Sequence, residues 1–162
     1  MAAGSTYTPI ATTTLGSATA SVTFSSLGSY TDIVAILTPI RTTTDANTIC
    51  RFNGDSGSNY SATSLYGDGS SAVSYRLTNY SWLNIGYTTT NQQTQIVHFM
   101  NYSNTTTYKT ALIRQSNTGS AAQAIAGLWR NTAAITSIVF SLEGGSNFAT
   151  GSTFTLYGIA SA

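Results

Sequence analysis

The sequence predicts an all-β protein, a jelly-roll-like antiparallel β-sandwich of about 8–10 strands. Three observations carry that expectation. Thr and Ser dominate the polar residues, 29 and 22 of 162, and Thr with Tyr suits a pleated, half-buried surface. Hydrophobic residues reach 41% and aromatics 11%. That is enough to build a core and to set aside disorder, the competing reading of a Ser/Thr/Gly-rich chain. Apolar positions recur with period two in short runs punctuated by Gly, Asn and Ser, at the spacing of sandwich strands. The length suits one domain that needs neither a disulfide nor a metal.

In chain order, residues 1–18 (MAAGSTYTPIATTTLGSA) read as an extended polar arm, with Pro9, a Thr run and only Tyr7, Ile10 and Leu15 as sizeable apolar content. The arm is a frayed terminus or short edge strand, or a segment docked on a neighbour. In the docked case Tyr7, Thr8, Pro9 and Ile10 are the partner-binding candidates, because an extended Thr-rich segment can pair along a foreign sheet edge. The sandwich then spans residues 19–162. Strands are expected at 21–24 and 31–40. In the second, Ile33, Ala35 and Leu37 share one face and Val34 and Ile36 the other, so both faces are apolar and need cover. The same holds at 95–100, where Ile96, His98 and Met100 oppose Val97 and Phe99. Those three residues are the candidate oligomer interface.

Residues 48–52 form a strand with Cys50 and Phe52 on one face. The stretch 53–71, rich in Gly, Ser and Asp, reads as a loop excursion with a helical turn around YSATSL. Strands follow at about 72–77, 82–88, 94–102, 107–115 and 122–130. SAAQAIAGLW (120–129) is the one place where a helix competes, but Gly127 lies inside it and its length is marginal. The last thirty residues read as two strands joined by a connection punctuated by Gly144 and Gly145.

Charged residues are only 7% of the chain, and the net charge is +1. The six cations are scattered, with no run that tracks a phosphate backbone, so nucleic acid is not an expected partner. The start lacks the basic and apolar regions of a signal peptide, and no apolar run approaches a membrane span. Synthesis in the cytosol, with no membrane partner, is the expectation. One cysteine allows no internal disulfide.

Candidate chemistry is sparse. Cys50 and His98, with Asn101 to orient the imidazole, are the only nucleophile–base set, and Cys50 alternates with Phe52 as a core residue does. Asp55 and Asp68 are the only carboxylates worth pairing for sugar hydrolysis, yet both sit beside glycines, where Asp serves turns. Asn53 to Asn59 spaces oxygen-bearing side chains around a glycine but lacks the terminal Glu and the order of a calcium loop. No catalytic residue, cofactor or metal is therefore expected. Tyr80 and Trp82, which alternate away from Leu83 and Ile85, suit an interface or a sugar platform. The tripeptide Asn-Tyr-Ser recurs at Asn59, Asn79 and Asn101. It matches a glycosylation acceptor, but it reads as composition.

The segments NFATGSTFTLYGI (147–159) and LWRNTAAITSIVF (128–140), with FNGDSGSNYS (52–61) and NYSNTTTYKT (101–110), resemble a group of small jelly-roll virion proteins of tailed bacteriophages. The resemblance covers roughly residues 30–159. Members of the group serve as capsid decoration (cement) proteins or tail-appendage modules. The resemblance thus implies a non-enzymatic decoration protein on the outer head surface, assembled in the bacterial cytoplasm. Its implied partners are itself, as a homotrimer, and the major capsid protein. The alternative is a tail-fibre or baseplate module that recognises a host surface glycan.

Overall fold

The computed structural model describes residues 6–43, 46–117 and 121–160. Twelve strands form among them. These are β1 (Tyr7–Thr14), β2 (Ser21–Ser25), β3 (Asp32–Thr38), β4 (Ala46–Phe52), β5 (Tyr60–Gly67) and β6 (Ala72–Tyr80). The second half supplies β7 (Leu83–Thr88), β8 (Gln93–Met100), β9 (Lys109–Asn117), β10 (Ala121–Trp129), β11 (Ser137–Leu142) and β12 (Thr153–Ile159). A single 3-10 turn, Glu143–Gly145, follows β11.

The strands form two antiparallel sheets. An eight-stranded sheet, ordered β1-β12-β3-β8-β9-β10-β5-β6, packs on a four-stranded sheet, ordered β2-β11-β4-β7. The pairing is nested: β1 with β12, β2 with β11, β3 with β8 and β4 with β7. One long hairpin whose rungs fall alternately in two sheets is a jelly roll. Two hairpins, β5–β6 and β9–β10, are inserted into this plan and extend the larger sheet beyond β8. The strands beyond those expected are β5, in the first of these hairpins, and β1.

The core lies between the sheets. On β8, Gln93, Gln95, Val97 and Phe99 are buried, and Thr94, Ile96, His98 and Met100 lie on the partly exposed side. Phe52 is the hub of an aromatic cluster, 5.4 Å edge-on from Phe99 and 5.3 Å from Trp129. Such rings supply both area and geometry to a core. Phe154 extends the core under β12, 4.9 Å from Phe148 and 6.0 Å from Phe140.

Four expectations change or resolve. Residues 7–14 of the expected arm are β1, an edge strand of the sandwich itself, in register from Tyr7↔Ile159 to Thr14↔Thr153. Leu15 beyond it is a core residue at 7% exposure. The stretch 53–71 is not one loop, because β5 runs through it, with Tyr60, Ala62 and Ser64 facing in. The last two strands, β11 and β12, lie in different sheets, so their connection crosses the sandwich. The helix competitor at 120–129 is β10, as favoured, and Gly127 is where Leu83 of the facing sheet packs. A Cβ there would sit 2.7 Å from Leu83 Cδ1.

Candidate functional site

The side of the eight-stranded sheet facing away from the core is its most distinctive surface. Cross-strand register aligns two rows there: Val34, His98, Leu112, Ala126 and Thr63, then Ile36, Ile96, Arg114, Ala124 and Leu65. Leu65, Leu112 and Ile36 are 63%, 52% and 36% exposed. Between the rows lies a groove of about 490 Å³, whose lining includes Leu65, Ile96, His98 and Leu112. Arg114 also lines it, and no ion pair engages it among the described residues. His98 is tied to the rim: its Nε2 lies 2.8 Å from Asp32 Oδ2, while the Asn101 amide donates to Asp32 Oδ1 at 2.7 Å.

The three candidate interface residues share this face. Ile96, His98 and Met100 alternate along β8, all half-buried. Ile36, expected on the outer apolar face of β3, joins them, and the structure adds Leu65 and Leu112, which sequence reading missed. Their strands lie far apart in the chain, and only the sheet order brings them together.

The arm candidates lie elsewhere. Tyr7, Thr8, Pro9 and Ile10 form the first half of β1, on the opposite edge of the sheet. Tyr7 stands edge-on to Tyr157 at 6.2 Å. Ile10 packs against the core beside a bulge between Pro9 and Ala11. This segment therefore offers a partner its outer backbone edge rather than a free tail.

The catalytic candidates are not assembled. Cys50 is fully buried on the core side of β4, where burial pushes its thiol pKa up against a smaller opposing pull from Arg51. His98 points away from the core on the other sheet, bound to Asp32. Asp55 and Asp68 lie beyond opposite ends of β5, whose eight residues span about 26 Å. That is far from the roughly 5–10 Å that glycoside hydrolysis requires.

The Asn53–Asn59 loop spends its oxygens on the fold. Asp55 Oδ2 accepts from Trp129 Nε1 at 2.6 Å and Asn59 Nδ2 at 2.9 Å, and Oδ1 accepts from the Gly57 amide at 2.8 Å. Burial raises the Asp55 pKa, but these donors outweigh it and hold the carboxyl below its usual range. Asn53 Oδ1 accepts from the Thr136 and Ser137 amides. The loop is a clamp on the start of β11, not a cage of open oxygens. Asn79 and Asn101, from the recurring tripeptide, adopt positive φ of 59° and 49°. Left-handed turns at strand ends explain them.

Tyr80, at the end of β6 and packed against the core, and Trp82 form an edge-on pair at 4.6 Å, and Trp82 lies at the outer face of the four-stranded sheet. No protein-family model matches the chain and no curated protein matches it.

Proposed function

We propose that this chain is a non-enzymatic virion structural protein of a tailed bacteriophage. In this reading it is a capsid decoration protein that attaches as a homotrimer to the major capsid protein on the outer head surface. The sequence resemblance supports the virion setting. The observation that carries assembly is the apolar outer face of the eight-stranded sheet. Exposed Leu65, Leu112 and Ile36 adjoin Ile96 on a chain with few charges, and contiguous exposed apolar surface marks a contact site. Trimers suit the three-fold sites of a capsid. Separated carboxylates and a buried thiol support a binding role over catalysis.

Light scattering after size exclusion tests the assembly reading. The wild-type chain is expected near three times its 17.0 kDa mass. Leu112→Asp is expected to run as a monomer with an unchanged circular dichroism spectrum, and to lose attachment to undecorated heads. A wild-type monomer at micromolar concentration would sink the reading, as would a Leu112→Asp chain that still assembles and still decorates.

A further inference from the structure

The four-stranded sheet carries a second groove on its outer face, of about 450 Å³, within the roughly 300–1,000 Å³ of small-ligand sites. Its composition differs from that of the apolar face on the other sheet. Val139 and the buried Ile49 line it, Trp82 borders it, and Ser21 and Ser141 lie paired across β2 and β11. Arg51 and Glu143 complete the lining.

Arg51 and Glu143 are each positioned and keep capacity in reserve. Arg51 Nε donates to the Ser81 carbonyl at 2.9 Å, which anchors the guanidinium and leaves its terminal amino groups without a hydrogen bond among the described residues. Glu143 Oε2 accepts from Asn47 Nδ2 at 2.8 Å, and no hydrogen bond engages its other oxygen among the described residues. Trp82 is steadied by Tyr80 at 4.6 Å. Arg51 lies opposite Val139, and Glu143 is four residues further on. Their backbones are therefore separated by about 13 Å of extended chain, and the two side chains make no ion pair with each other.

We infer that this groove binds a neutral oligosaccharide of hexopyranose units. A pyranose ring has an apolar C–H face and an equatorial rim of hydroxyls. The indole of Trp82 suits the face, being flat, amphipathic and low in conformational cost. The rim hydroxyls both donate and accept: Glu143 takes the donors, Arg51 the acceptors, and the two serines serve either way. One cation balanced by one carboxylate gives an anionic polymer no advantage. A span of about 13 Å fits two sugar units better than one. The inference goes beyond the assembly reading and stands without it, because the groove and the apolar face lie on opposite sheets.

The test is titration of the full chain with maltopentaose, cellopentaose and chitopentaose, followed by tryptophan fluorescence and calorimetry. At least one is expected to bind saturably with a change in indole emission. Trp82→Ala is expected to weaken that binding at least tenfold, and Glu143→Gln severalfold. Asp68→Asn, at a distant hairpin tip, is expected to leave it unchanged. Melting curves establish that each variant is folded, and the near-isosteric Glu143→Gln keeps the test decisive if Trp82→Ala is not. Absence of saturable binding to all three sugars overturns the inference, as does binding that neither variant weakens. Failure of wild-type trimerisation would leave this result untouched, so the two readings fail separately.

Discussion

At the residue scale, Asp55 shows how a carboxylate that looks catalytic in sequence becomes structural. Its hydrogen bond reaches Trp129, which is 1% exposed and part of the Phe52 cluster. Asp55→Asn puts an amide where a charge-assisted acceptor faced three N–H donors, so at least one donor loses its partner. The expected cost is roughly 1–3 kcal/mol, read as a melting temperature lower by several degrees. The pH dependence has a definite sign. The folded-state pKa is depressed, so the contribution is present above the unfolded carboxyl value, about 3.9, and is lost as pH falls through the folded value. Stability is thus expected to fall as the medium is acidified below about pH 4, less steeply in Asp55→Asn. Asp68 is also depressed, chiefly by the Ser71 and Ser70 amides, so Asp68→Asn serves as the comparison. Equal acid sensitivity in wild type and Asp55→Asn would remove Asp55 from the account.

At the element scale, the free edge of β7 is closed by side chains from the other sheet. Gln115 Oε1 accepts from the Tyr87 amide at 2.6 Å, and its Nε2 donates to the Tyr87 carbonyl at 2.6 Å, as a neighbouring strand would. Gln95 Nε2 adds a bond to Thr88 Oγ1 at 3.2 Å. Gly86 makes room, with φ at 135° and a hypothetical Cβ 2.0 Å from Gln115 Oε1. Gln115→Leu keeps the size and removes both bonds. It is expected to cost roughly 1–3 kcal/mol and to open an edge prone to pairing with another chain. Denaturant midpoint and light scattering read both effects, and an unchanged midpoint would show the clamp to be idle. Nothing in the isolated sequence of β9 announces this role. Strand positions such as 21–24 and 48–52 were legible because alternation is local. β5 was not, because its inward Ser64 looks like loop composition until Gln123 is seen donating to it at 2.6 Å. The same reason hid Leu65 and Leu112: alternation says which side chains share a face, not which strands become neighbours. Trp82 was legible as an outward aromatic, whereas Tyr80, expected to point outward with it, packs against the core, and Arg51 and Glu143 joined Trp82 only through the β4–β11 pairing.

At the scale of the whole molecule, the first strand covers the last, and that contact decides what the N-terminal segment can do. β1 carries the features of a blunted sheet edge, Pro9 and a bulge beside it, which resist pairing with stray chains. The strand it covers, β12 (TFTLYGI), has no charge and no proline, the composition of an aggregation-prone segment when uncovered. The seam continues past β1, where the Leu15 amide donates to the Ser152 carbonyl at 2.9 Å and the Gly151 amide to the Leu15 carbonyl at 2.8 Å. Deleting residues 2–14 is therefore expected to lower the melting temperature by several degrees and to send the chain into large assemblies, because β12 becomes the edge. A contact between the arm and a capsid partner has to be probed by point changes on the outer edge of β1. Thr8→Asp and Tyr7→Asp suit this, with head attachment and melting measured together. Loss of attachment at an unchanged melting temperature assigns Tyr7 and Thr8 to the partner. A truncated chain that stays monodisperse and melts like the full one would show β1 to be dispensable to the sandwich and return it to the role of a docking arm.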